Sequence, residues 1–163
     1  MARRRNHGWF MPALSLVFTL VLALMPLPDS IAPLRPDWVA VVLLYWSLMS
    51  PRRFSLLTAF WMGIVLDTLS GALLGQNALA LLVVVYLAER FHLRLRVFPA
   101  SQVAITVLLL LGLYEFILFW IDGMAGRTVP LAERWIPPFT GALVWLMLFT
   151  VFDRGEREAR ARL

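Results

Sequence analysis

Apolar positions along this chain come in six long runs separated by short polar breaks, at roughly 9 to 27, 37 to 50, 54 to 74, 77 to 91, 100 to 121 and 135 to 152. A helix that crosses a membrane needs about 20 predominantly apolar residues to cover a hydrocarbon core of roughly 30 Å. The second and fourth runs are short: about 14 residues at 1.5 Å each cover only about 21 Å. Charge placement keeps both as spans. With the N-terminus inside and six spans, twelve of the fifteen arginines fall on the cytoplasmic side, and Arg35, Arg127 and Arg134 are left outside. Short-looped membrane proteins show this excess of cationic residues in their inner loops. Omitting one short span would move whole arginine clusters outward. The pattern therefore predicts an all-α integral membrane protein, with six transmembrane helices in one bundle and both termini cytoplasmic.

Composition sharpens this picture. Of 163 residues, 61% are hydrophobic and 15% charged, where soluble domains carry roughly 25% charge. No stretch between the runs is long enough for a separate soluble domain, so residues 1–163 are expected to form a single multi-pass domain. The net charge of +5 is set by arginine clusters between apolar runs and not by a basic face interleaved with aromatics, which argues against a nucleic-acid partner. Arg3, Arg4 and Arg5 before the run from Trp9 resemble a signal peptide. The run is too long and too crowded by Pro26 and Pro28 for cleavage, so this helix is expected to stay. Trp9, Trp38, Trp120 and Trp135 fall near span ends, where indoles sit at headgroup level. Pro36, Asp37 and Trp38 open the second span, with proline fitting a first turn and a carboxylate favoured at the positive helix end.

Two acids lie well inside spans, Asp67 and Glu115. Each costs about 2.5 to 3.5 kcal/mol near a bilayer centre on insertion scales, so each is expected to face protein or a water-filled cavity. Asp67 precedes Gly75 by eight residues and Glu115 precedes Asp122 by seven, which puts both about 10 to 12 Å below the outer helix ends. Three arrangements fit: a hydrogen-bonded structural pair, a proton or cation relay, or two separate carboxyls each satisfied by nearby hydroxyls. Around the first acid, Gly63, Asp67, Gly71 and Gly75 recur every fourth residue and would share one narrow stripe of a continuous helix. Small residues let backbones approach in lipid. The stripe serves either as a groove for a partner helix or as close packing within the bundle.

Catalytic chemistry finds no foothold. There is no cysteine, and the two histidines, His7 and His92, lie in expected cytoplasmic segments without a second ligand at metal spacing. A hydrolase built on serine and histidine, or an intramembrane zinc protease, would lack its base or its ligands. No catalytic residue, metal site or cofactor is expected. The alternating arginine, glutamate and alanine of the C-terminal tail suit a solvated helical end, with anionic-lipid contact as a further option.

Several stretches taken together resemble the MreD family of bacterial rod-shape-determining membrane proteins. They are Met25 to Asp29, Arg35 to Trp38 running into Leu43 to Trp46, Ser50 to Arg53, Gly63 to Gly75, and Leu118 to Trp120. The resemblance covers roughly residues 9 to 152. It implies a non-enzymatic scaffold of the cell-elongation machinery in the bacterial inner membrane. It further implies direct binding to MreC, in a complex with the actin-like MreB, the glycosyltransferase RodA and a class-B penicillin-binding transpeptidase that builds lateral peptidoglycan. By position the family's buried acid falls on Asp67, its small-residue ladder on Gly71 and Gly75, and its opening of the second span on Pro36, Asp37 and Trp38. The family is also similar in fold to the substrate-binding membrane components of energy-coupling-factor vitamin transporters. A component of that kind, binding a small molecule between its helices, is the alternative. The Ala-x-x-x-Ala docking pattern typical of the first helix of such components is missing here: Ala13 is followed by Val17 and Ala23 by Leu27.

Overall fold

The computed structural model describes residues 7–26, 28, 32–49, 56–95, 98–127 and 130–161, with the side chains of 7–11, 33, 93–95, 100, 131–133 and 151–161 excepted. The stretch from Ser50 to Arg53, Asp29, Arg3 to Arg5 and the side chains of the arginine tail lie outside what is described. Among the described residues six helices run α1 (His7–Leu24), α2 (Trp38–Met49), α3 (Leu56–Ser70), α4 (Gln76–Leu95), α5 (Ala100–Met124) and α6 (Leu131–Ala161), with a 3-10 turn at Ala32–Leu34 before α2. Among the described residues there is no strand. Among the described residues one helical segment, Ser101–Met124, is long and apolar enough to cross a membrane by length and composition.

α2 forms the centre. Its sequence is apolar on every side, and a helix of that kind has to be surrounded. Val39 to Leu44 are all buried, against α1, α4, α5 and α6. Around it Leu81, Val84 and Val85 of α4, Val107, Leu111 and Tyr114 of α5 and Trp145 of α6 complete the core. The indole of Trp145 stacks on Phe149 with ring centroids 5.3 Å apart. α3 lies on α4, and α5 on α6.

α3 stops at Ser70, so the stripe expected from Gly63 to Gly75 does not exist as one helical face. The reason is local. Gly71 takes φ +66°, and the N–H of Ala72 donates to the carbonyl of Asp67 at 3.1 Å. This is the closure by which a left-handed residue ends a helix. Gly75 takes φ +95° one turn later, just before α4 begins. A Cβ at Gly71 or Gly75 would meet nothing within 4 Å, so glycine is needed there for the backbone angle and not for space. The end of α5 repeats the device. Gly126 has φ +70°, and the N–H of Arg127 donates to the carbonyl of Asp122 at 2.9 Å.

Gly63 is different. A Cβ there would fall 2.2 Å from Cα and 2.5 Å from N of Ala78. The backbones of α3 and α4 touch at this point, and the close approach expected of small residues is made inside the chain. Of the expected stripe, Gly63 and Asp67 remain on the α4-facing side of α3 and are buried.

Candidate functional site

Polar side chains gather at one end of the bundle, where α1, α3 and α5 end and α2, α4 and α6 begin. Asp67, 1% exposed, projects from the last turns of α3 to the start of α4. Its Oδ2 accepts from the N–H of Gly75 at 2.8 Å and from that of Ala78 at 3.5 Å. Its Oδ1 accepts from the N–H of Asn77 at 2.9 Å and from Asn77 Nδ2 at 2.8 Å. The first N–H groups of a helix have no partner within it, and its N-terminus carries partial positive charge. Asp67 therefore caps α4 from the neighbouring helix. Asn77 passes the connection on: its Oδ1 accepts from the hydroxyl of Tyr114 on α5.

Glu115 is the next residue along α5, 7% exposed. Among the described residues no hydrogen bond joins it to Asp67. Its neighbour is Asp37, the two carboxyls lying within hydrogen-bond reach of each other, with Arg35 and Arg134 close enough to act on Asp37 electrostatically. Two carboxylates so placed repel unless a proton or a cation lies with them. Arg35 also ties this corner to α1, with Nη2 donating to the carbonyl of Leu22. Of the span-start motif, Pro36 is buried and Asp37 and Trp38 are half-buried.

A second junction was not anticipated from the sequence. Asp122, near the end of α5, accepts from Gln76 Nε2 at 2.9 Å and pairs with Arg134 on α6. All three residues are buried. Asp122 and Arg134 read as solvated connections because each stands at the end of an apolar run. The usable signal was that Gln76 and Asn77 sit together at the opening of an otherwise apolar segment. The junctions together join the ends of all six helices. Removing one partner of a buried ion pair costs about 3 to 5 kcal/mol because the other charge is left stranded.

The arrangement holds helices, and the carboxylates of Asp67 and Asp122 are engaged by backbone amides, amide side chains or a guanidinium. That is what a structural protein asks of buried polar groups. The description "rod shape-determining protein MreD" matches residues 3–154. The chain belongs to the MreD family. A rod shape-determining protein MreD of Haemophilus influenzae is 26% identical over 152 residues, which cover 93% of this chain and 94% of that protein. No solved structure matches the chain. Membership of the MreD family supports a rod-shape-determining role and gives no support to the vitamin-transporter alternative.

Proposed function

We propose that this chain is a non-enzymatic, multi-pass scaffold of the bacterial inner membrane that binds MreC directly and helps to regulate lateral peptidoglycan synthesis. MreB, RodA and a class-B penicillin-binding transpeptidase belong to the same complex. The observation that carries this reading is where polarity lies: charged and amide side chains are tied together inside, while many large apolar ones, beyond those of the core, face outward. Along α3, Leu57, Trp61, Val65 and Leu69 form an exposed ladder four residues apart, opposite the face packed on α4. Leu109 of α5 and Met147 of α6 are 68% and 70% exposed. Apolar surface on this scale needs lipid or a partner to cover it. In this reading the six helices span the bilayer as one bundle, in the manner of the substrate-binding components of energy-coupling-factor transporters. Gly63, Asp67, Gly71 and Gly75 hold α3 to α4 and shape their turn; the partner helix is received by an outward apolar face.

The chain contains no cysteine, which makes its topology directly measurable. A single cysteine from Leu34→Cys is expected to react with an impermeant maleimide added to intact cells, since Leu34 is exposed at the polar end of the bundle. One from Arg90→Cys, exposed towards the opposite end of α4, is expected to react only after permeabilisation. Equal labelling of both in intact cells would refute the proposed orientation.

Function is tested by depletion of the gene in a rod-shaped host. Loss of rod shape, restored by this gene together with recovery of MreC in a pull-down of the tagged chain, is the expected result. Normal rods with a defect in nutrient uptake would point to the transporter component instead.

A further inference from the structure

A cavity of about 270 Å³ opens at the polar end of the bundle, lined among others by Ala23 of α1, Arg35, Asp37, Leu66 and Ser70 of α3, and Tyr114. Asn77, which the Asp67 cap engages, also lines it, and none of the residues of the Asp122 junction does. Its size is just below the roughly 300 Å³ at which small-molecule sites begin, so it suits a headgroup-sized occupant.

The chemistry of the lining is specific. Arg35 and Asp37 present opposite charges to one cavity, so a net cation or a net anion would match only half of it. Asp37 Oδ2 is buried without a hydrogen-bond partner, and Glu115, beside Asp37, stands outside the lining. The free acceptor at Asp37 fits a group that carries N–H bonds. Arg35 uses Nη2 on the carbonyl of Leu22, which leaves most of its five donors for an oxyanion, the partner a guanidinium fork fits best. The rest of the lining includes Ala23, Val39, Ala40, Leu66 and Leu118, an apolar wall beside the charged end. Ala32 and Ser70, which also line the cavity, are exposed.

We propose that this cavity binds a zwitterion with a primary ammonium beside a phosphate, the ammonium at Asp37 and the phosphate at Arg35. The headgroup of phosphatidylethanolamine carries this chemistry in a membrane, and free phosphoethanolamine carries it in water. Choline bears no N–H, and glycerol bears no cation, so neither headgroup satisfies the carboxyl corner. The lipid source rests on the membrane-spanning reading given above; the cavity chemistry does not.

The test is native mass spectrometry of the full chain in detergent with phosphatidylethanolamine, phosphatidylcholine and phosphatidylglycerol of identical acyl chains. Retention of the ethanolamine lipid is expected to exceed that of the other two about tenfold, the factor given by roughly one charge-assisted hydrogen bond. Asp37→Asn is expected to abolish the preference. Ala23→Leu, which leaves every polar group in place and fills the mouth, is expected to abolish retention and covers the case in which Asp37→Asn fails to fold. Equal retention of the three lipids, or a preference untouched by both variants, would overturn the proposal. Thermal stabilisation by soluble phosphoethanolamine without lipid retention would keep the site and assign it to the soluble source. Recovery of the chain from cells without detergent would refute the membrane reading alone, and the phosphoethanolamine arm would then be run in buffer.

Discussion

Gly63→Ala is expected to destabilise the protein by about 3 kcal/mol, the upper part of the range for overpacked cores, and Gly63→Leu by more. The sign is the informative part. In a helix interior alanine is ordinarily about 1 kcal/mol better than glycine, and Gly112 on α5, with open space around its Cα, is expected to follow that rule. At Gly63 the new Cβ would sit 2.2 Å from Cα of Ala78. That atom is backbone and cannot swing aside, so α3 and α4 must separate. Truncating the neighbour does not help: Ala78→Gly removes only the Cβ at 2.9 Å and leaves Cα and N where they are. Thermal unfolding in detergent, comparing Gly63→Ala, Gly112→Ala and the Gly63→Ala, Ala78→Gly double variant, reads all three expectations. For a chain of this length about 3 kcal/mol corresponds to a fall in melting temperature of roughly 6 to 12 °C. Rescue by Ala78→Gly would show that the helices are not in backbone contact.

Asp67→Ala is expected to cost about 3 to 5 kcal/mol, because the N–H groups of Gly75 and Asn77 and the side-chain amide of Asn77 lose their acceptor together. Each buried donor left unsatisfied costs about 1 to 3 kcal/mol. Asp67→Asn keeps one acceptor oxygen and the shape of the side chain, so its loss is expected to be about half as large. The same unfolding measurement applies, with hydrogen exchange at the first turn of α4 as the local readout. Exchange there is expected to accelerate in Asp67→Ala before the rest of the bundle opens. An Asp67→Ala protein as stable as the parent, with an unchanged first turn of α4, would contradict the capping role.

How far the sequence could be read depended on which force acted at each position. The existence of six helices was legible because burial of apolar runs is a property of composition over many residues. The break in α3 was not read, although its signal was present. Gly71 followed by Gly75 matches both a small-residue packing motif and a helix stop, and spacing alone does not choose between them. The left-handed angle at Gly71 chooses, since a continued helix needs φ near −60°. Asp67 and Glu115 were identified as buried acids from their position in apolar segments. Their partners were not, because Asn77 and Asp37 lie on other elements.

By itself the sequence determined an all-helical fold, two of its buried acids, Asp67 and Glu115, and the distribution of charge that makes a membrane its natural setting. These follow from residue type and one-dimensional pattern, which act without knowledge of neighbours. Tertiary structure alone decided that Gly63 meets Ala78, that Asp67 caps α4, that Glu115 faces Asp37, and that Arg134 is buried against Asp122. Hydrogen bonds and steric contact act within a few ångströms and between segments far apart in the chain. They therefore come into being only when the helices are packed together.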